Sequence, residues 1–264
     1  MVATFLRPGP GVGSVEHFYH FTLEYLLPLF ELDVTRGIAG KGYVVRDCGP
    51  MNGWLDFVCG PDAFTRVPRE DFAPERPRRF WDKHIQLDAF AGQEGISIDA
   101  ERFTRVLAAF REKFMPPVAD RSAITIIDRR APSSFYTDGA AEIPGGGSTR
   151  RSISNLDQLA QTLSALHPVR VVDFATMTPA DQIDTINKTA VLIGQHGAGL
   201  THSLFLHNDA TLVELNTTDW DQVWFQTLNT DLGLRYRSFT IDGLHTALER
   251  ELIHEISDFV SMTG

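Results

Sequence analysis

Short apolar runs and stretches of helical periodicity alternate through the second half of the chain. Ala123–Asp128, Val169–Phe174, Val191–Ile193, Thr211–Leu215 and Arg235–Phe239 have the length and composition of buried strands. Leu156–Leu166, Pro179–Thr189, Asp221–Asp231 and Leu244–Val260 carry apolar residues at helical spacing, with Thr178 placed to cap the second. Repeated strand–helix units of this length predict a parallel sheet with helices on both faces. Right-handed crossovers then gather the strand-to-helix loops at one edge. That edge would hold Arg129-Arg130, the glycines after Ile193 and the segment 216–221.

The first half is less regular. Val2–Leu6 reads as a strand and Gly9–Gly13 as a loop, and Ser14 is placed to cap a helix from Val15 to Val34 that Pro28 bends or divides. Phe18, Phe21, Tyr25, Leu29 and Leu32 form much of its apolar side, while Glu16, His20 and Glu24 share another face beside His17. Lys41–Cys48, Phe64–Val67 and Arg79–Leu87 read as strands, and Arg66–Arg79 as a surface loop rich in proline and arginine. Asp99–Met115 has helical periodicity, and Pro116-Pro117 ends it at a natural boundary. The expected organisation is an α/β chain with an acceptor-side domain over 1–116 and a ligand-binding domain over 117–264.

One stretch stands out, VLIGQHGAGLTHSLFLHNDATLVEL from Val191 to Leu215. It reads as strand, glycine turn, helix, strand. Such a turn presents backbone N–H groups and a helix N-terminus at the carboxyl edge of a sheet, where phosphate anions bind. Gly194, Gly197, Ala198 and Gly199 keep the backbone bare enough for a diphosphate to approach.

Composition narrows the partners. With 264 residues, 43% hydrophobic and 22% charged, the chain suits one large domain or two small ones. A formal net charge of −10 argues against a general nucleic-acid surface and leaves room for a local basic pocket. Cys48 and Cys59 read as small buried hydrophobes, with a single bridge between them the alternative. No run approaches the ~20 apolar residues of a membrane span. The opening MVATFLRPGPG lacks the basic start and apolar core of a signal peptide, which points to a cytoplasmic, bacterial protein unless a leader or anchor has been removed.

HGAGLTHSLFLHNDATLVEL resembles the signature of glycosyltransferase family 61, HGAGLTN-x-LFL-PPGA-x-x-x-EL. Upstream, Ile124–Arg130 resembles that family's strand followed by arginine, Arg151-Ser152-Ile153-Ser154-Asn155 its RxIxN segment, and Met177–Gln182 the stretch before the signature helix. His17–Glu24 with Pro28 is similar to its NYxHWxxE-x-x-P pattern. His17 stands in place of asparagine, and His207-Asn208 in place of two prolines. The resemblance implies two Rossmann-like domains of GT-B type, the N-terminal one reduced, with the last helix returning to the first domain. It implies an inverting glycosyltransferase that takes sugar from a UDP-sugar, needs no metal or other cofactor, and acts on a glycan or small hydroxyl acceptor. Bacterial relatives suggest capsule or exopolysaccharide assembly, and a homo-oligomer is compatible with the short first domain.

Sugar transfer requires charge on the leaving diphosphate to be neutralised and the acceptor hydroxyl to lose its proton. For the first task the candidates are the N–H groups of Gly197, Ala198 and Gly199, with Arg129 or Arg130, and Arg151, adding charge-assisted hydrogen bonds. His196 donates to a phosphate oxygen in this reading, or else bonds to backbone as a turn histidine. Thr201 caps the helix or meets phosphate, and His202 bonds or packs locally. Glu214, at a strand's carboxyl end, accepts ribose hydroxyls or pairs with an arginine. For the second task His20 is the base, oriented by Glu24 one turn later, with Glu16 as substitute. His17, His20 and Glu24 make a weak zinc motif, and Asp219-Trp220-Asp221, though of Asp-x-Asp spacing, reads better as a helix cap. Two rival readings are a non-catalytic nucleotide-sugar-binding module and an enzyme similar to polysaccharide pyruvyl transferases.

Overall fold

In the computed structural model, which describes residues 2–4, 15–68, 84–86, 100–141, 145–165, 167–217 and 224–263, two parallel sheets carry the α/β fold. Ser14, Gly9–Gly13, most of Arg66–Arg79 and Asp219-Trp220-Asp221 lie outside the described residues. Packing divides the chain into one unit of Met1–Phe110 with Gly139–Ile143, and a second of Arg111–Asp138 with Pro144–Gly264.

The first unit holds strands β1 (Val2–Thr4), β2 (Val44–Arg46), β3 (Thr65–Val67) and β4 (His84–Gln86), in the order β3-β2-β1-β4 and all parallel. The expected first helix is three consecutive pieces: an α-turn Phe18–His20, a π-helix Phe21–Leu26 and an α-helix Leu27–Arg36. Pro28 explains the break. It has no N–H to return to the preceding turn, so the chain widens just before it and the proline sits in the first turn of the next helix, where no donor is required. Gly37 ends that helix at φ +57°, its N–H bonded to the Asp33 carbonyl. A helix Asn52–Cys59 was not apparent from periodicity; it buries Trp54, Leu55 and Val58. Phe103, Val106, Leu107 and Phe110, on the helix Ala100–Phe114, are buried, and Phe110 meets Phe30 edge-on at 5.4 Å. Cys48 and Cys59 are both free thiols, so the bridge is not formed.

The second unit is built on five parallel strands: β5 (Ala123–Ile127), β7 (Val169–Val172), β8 (Thr189–Gln195), β9 (Thr211–Thr217) and β10 (Arg235–Ile241), ordered β10-β9-β8-β5-β7. A two-stranded parallel pair, β6 (Ser152–Ile153) with β11 (His245–Thr246), stands apart from this sheet. One sheet face presents Ile124, Ile126, Val191, Ile193, Val213, Leu215, Phe239 and Ile241 to the helices Leu156–Ser164 and Arg250–Thr263. The last helix packs on this face. Ile253, Ile256 and Val260 complete that core. Its start at Arg250 rather than Leu244 reflects a tether: Asn155 donates to the Leu248 carbonyl at 2.9 Å and accepts from the Leu248 N–H at 2.7 Å. Among the described residues, no helix is long and apolar enough to cross a membrane.

In a sheet of this order the chain winds outward in both directions from β5 and β8, which are hydrogen-bonded neighbours. The loops leaving their carboxyl ends part to opposite faces and open a crevice, where open α/β sheets bind ligands. The residues after β5 are Asp128-Arg129-Arg130, and those after β8 are His196-Gly197-Ala198-Gly199.

Candidate functional site

The site grows from the end of β8. Gly194, one residue before its last, leaves room for the next element: a Cβ there would lie 2.9 Å from Leu200 Cδ2 and 3.1 Å from Ile127 Cδ1. Past His196 the backbone turns through Gly197 at φ +151° and enters a 3-10 helix, Ala198–Phe205, whose residues from Leu200 onward are all buried. The expected α-helix is thus a tighter one, opened by the Leu200 N–H bonded to the Gly197 carbonyl at 2.9 Å. Gly197, Ala198 and Gly199 are half-exposed between buried neighbours. The turn is thus open to solvent.

Two guanidinium groups close on it. A Cβ built on Gly197 would fall 3.4 Å from Arg151 Nη1 and nearer still to Arg129 Nη1. Arg151 donates from Nη1 to the His196 carbonyl, and Arg129 from Nε to the Gly147 carbonyl at 3.3 Å. Burial, and then the charge of Arg151 and Arg150, lowers Arg129 from 12.5 to about 10. Burial and Arg150 likewise lower Arg151, against an opposing pull from Glu214. Among the described residues Arg129 has no carboxylate partner. Two cations crowded on one turn suit an anion. Arg130, the alternative to Arg129, is exposed and engaged with Asp128 at 2.5 Å.

Arg151 is aimed by the RxIxN segment. Gly147 carries φ +48° and lies so close to the Arg130 carbonyl that a side chain would collide with it; Ser148 N–H bonds to that carbonyl at 2.8 Å. Gly147–Arg150 form a short helical turn, and the glycine tract is bonded to the Arg130 and Tyr136 carbonyls through the Ser148 and Gly145 N–H groups. Ile153 is buried in the sheet core, and Asn155 makes the Leu248 tether.

Behind the turn, Glu214 is fully buried. One of its oxygens bonds with His196 Nδ1 and the other accepts from the Tyr236 hydroxyl. Both oxygens expected to reach ribose are thus engaged, and Glu214 bears on the turn through the imidazole. Tyr236 was not singled out from the sequence; as one of two aromatics in the mixed strand RYRSFTI it gives no signal until the register of β9 and β10 places it beside Glu214 on the same face. The His196 ring also meets Phe225 edge-on at 5.6 Å.

Thr201 is fully buried, neither capping the helix nor reaching the turn's surface, and its hydroxyl has no partner among the described residues. His202 stacks on Phe174 at 3.8 Å with Nδ1 2.8 Å from the Gly199 carbonyl and Nε2 2.7 Å from Gln182 Oε1. Two acceptors favour the doubly protonated ring and burial opposes it; burial prevails and lowers the group to about 4. The other departures find local partners too: His207 Nε2 meets Asn187 Oδ1 at 2.8 Å, and Asn208 accepts from Arg111 Nη1 at 2.9 Å.

In the first unit, His20 Nδ1 lies 2.9 Å from Glu24 Oε1, the expected pair. Glu24 belongs to the π-helix, a feature that often marks functional sites. The His17 and His20 rings are 5.3 Å apart, and Tyr19 meets His20 edge-on at 5.2 Å. Burial, and then Glu24, pushes the Tyr19 phenol up to about 12. Glu16 is buried 3.5 Å from Arg46, apart from the His20–Glu24 hydrogen bond.

A family model described as Glycosyltransferase 61 matches residues 18–213. An EGF domain-specific O-linked N-acetylglucosamine transferase of Drosophila melanogaster is 36% identical over 91 residues, 34% of this chain and 17% of that protein. The Mus musculus protein of the same description is 42% identical over 90 residues, 33% of this chain and 17% of its own. An alpha-1,3-arabinosyltransferase of Oryza sativa subsp. japonica is 36% identical over 78 residues, 27% of this chain and 13% of its own. The aligned stretch is thus about a sixth of the length of the first of these curated relatives.

Proposed function

This chain belongs to the glycosyltransferase 61 family, and from that premise we propose that it is a glycosyltransferase whose second unit holds the diphosphate of a UDP-sugar. The reading rests on one observation: Arg129 and Arg151 converge on the Gly197 turn beside the β5–β8 crevice, with their charge unmet by protein carboxylates at Arg129. A leaving diphosphate gathers negative charge as the glycosidic bond breaks. Fixed guanidinium and amide donors stabilise that charge more than they stabilise the ground state. The same two arginines support a metal-independent reaction, since they supply the cationic neutralisation a divalent ion would give.

His20 is the proposed base, taking the acceptor hydroxyl's proton while Glu24 fixes the ring. Single displacement by that hydroxyl would invert the anomeric centre. Two Rossmann-like domains of GT-B type, and a role in polysaccharide assembly, complete the proposal. The names of the relatives make N-acetylglucosamine and arabinose, with the xylose of a similar beta-1,2-xylosyltransferase of Oryza sativa subsp. japonica, the first donor sugars to try.

Calorimetric titration with UDP, together with a donor-hydrolysis assay on the same three UDP-sugars, tests it. Saturable UDP binding that Arg129→Gln and Arg151→Gln each weaken is the expected result. Binding without turnover on any donor or acceptor would leave a nucleotide-sugar-binding module, and no UDP binding at all would overturn the site.

A further inference from the structure

We propose that Tyr236 is a positioning residue of the site: through Glu214 it fixes the tautomer and tilt of the His196 imidazole at the glycine turn. The role assigned to His196 rests on the diphosphate reading above; the hydrogen-bond chain itself does not.

Three side chains from two neighbouring strands and the turn are joined in series, Tyr236 to Glu214 to His196. The direction of each bond is set by chemistry. Burial and the adjacent carboxylate push the Tyr236 phenol well above its ordinary range, so it keeps its proton and donates to Glu214. As a carboxylate, Glu214 accepts on both oxygens. The imidazole must therefore carry its proton on Nδ1, and Nε2 is the nitrogen by which it would meet a phosphate oxygen. Among the described residues, the cations Arg151, on the His196 carbonyl, and Arg129, against Gly197, also stand beside this turn. Phe225, from the helix Trp224–Asp231, closes a further side with an apolar ring.

Glu214 alone would hold the imidazole nitrogen but not its own orientation. A carboxylate with one fixed contact rotates about its side chain, and the ring follows. The phenol's hydrogen bond to the second oxygen removes that freedom, much as outer carboxylates and carbonyls orient histidines in metal sites. Tyr236 is the second residue of β10, paired opposite Leu212, so its own position is set by the sheet.

The test uses the full chain and the variant Tyr236→Phe, which keeps the ring and removes the hydroxyl. The far-downfield Nδ1 proton of His196, assigned by its disappearance in His196→Gln, is followed by NMR without ligand, and UDP affinity is measured alongside. The expected result is a displaced or broadened resonance and a loss of UDP affinity of about tenfold, with a melting temperature near that of the wild type. A resonance unmoved in Tyr236→Phe overturns the proposal, whatever the affinity does. A moved resonance in a protein that never binds UDP would uphold the relay and remove the diphosphate reading instead.

Discussion

Arg151 donates a hydrogen bond to the main-chain carbonyl of His196, 45 residues further along the chain. That bond joins the RxIxN segment to the HGAG turn and leaves the rest of the guanidinium beside Gly197, where Arg129 already stands. Two like charges are held together by backbone contacts, against their mutual repulsion.

Removing one of them should separate binding from stability. Arg129→Gln is expected to lower UDP affinity about tenfold or more, the scale of a lost charge-assisted contact, while the melting temperature stays level or rises. Below pH 10 the folded chain bears the strained charge. As pH passes 10 towards 12.5 the folded protein sheds that proton before the unfolded chain does, so this strain is relieved with rising pH. The melting-temperature gap between variant and wild type should therefore narrow above pH 10. A uniform gap would place the strain elsewhere.

Gly197 and Gly199 should answer differently to alanine. Gly197→Ala puts a Cβ into Arg129 at φ +151°, and is expected to cost about 1–3 kcal/mol and most of the UDP affinity. Gly199→Ala meets only Ile127 methyl carbons at 3.4 and 3.5 Å and should be nearly neutral. Denaturant unfolding and UDP titration of the pair read this directly.

His202 should make the fold acid-sensitive. With the folded group at about 4 against 6.5 in the unfolded chain, the unfolded state takes up a proton first as pH falls. Stability is thus full above 6.5 and declines down to about 4. His202→Asn, the residue the signature usually carries, should flatten that part of the profile of urea midpoint against pH, even if it lowers the plateau.

His20→Gln should spare UDP affinity and reduce transfer by about a hundredfold or more, the usual contribution of a general base. Equal turnover in variant and wild type, measured on whichever acceptor is found, would remove His20 from the mechanism.

Much of the second unit was legible because its strands are buried on both faces. Val191–Ile193 and Thr211–Leu215 needed no alternation to be seen, and the glycines between them mark the turn by themselves. The pair β6 and β11 was not legible; two-residue strands have no period, and their pairing is a long-range event. Leu244–Leu248 was read into the last helix for the same reason. Arg129 and Arg151 could be chosen where the chain resembles the family's strand–arginine and RxIxN segments, and His196 from its place beside the glycines. Glu214 could be chosen but not oriented, because its face depends on the register that sets it opposite Gly194 and Ser238. Pro28 announced a break, while the widened π-turn ahead of it has no separate signal in the residues.

The small sheet of Ser152–Ile153 with His245–Thr246 has a consequence for how the protein is made. Arg151 is anchored through a strand whose sheet partner, and through an asparagine whose clamp, come from residues 245–248. As the ribosome delivers the chain, the glycine turn emerges with its cationic clasp still unplaced. Only when the 93-residue span from Asn155 to Leu248 has been translated can the arginine lock home, so a nascent chain stalled before that point should bind no nucleotide.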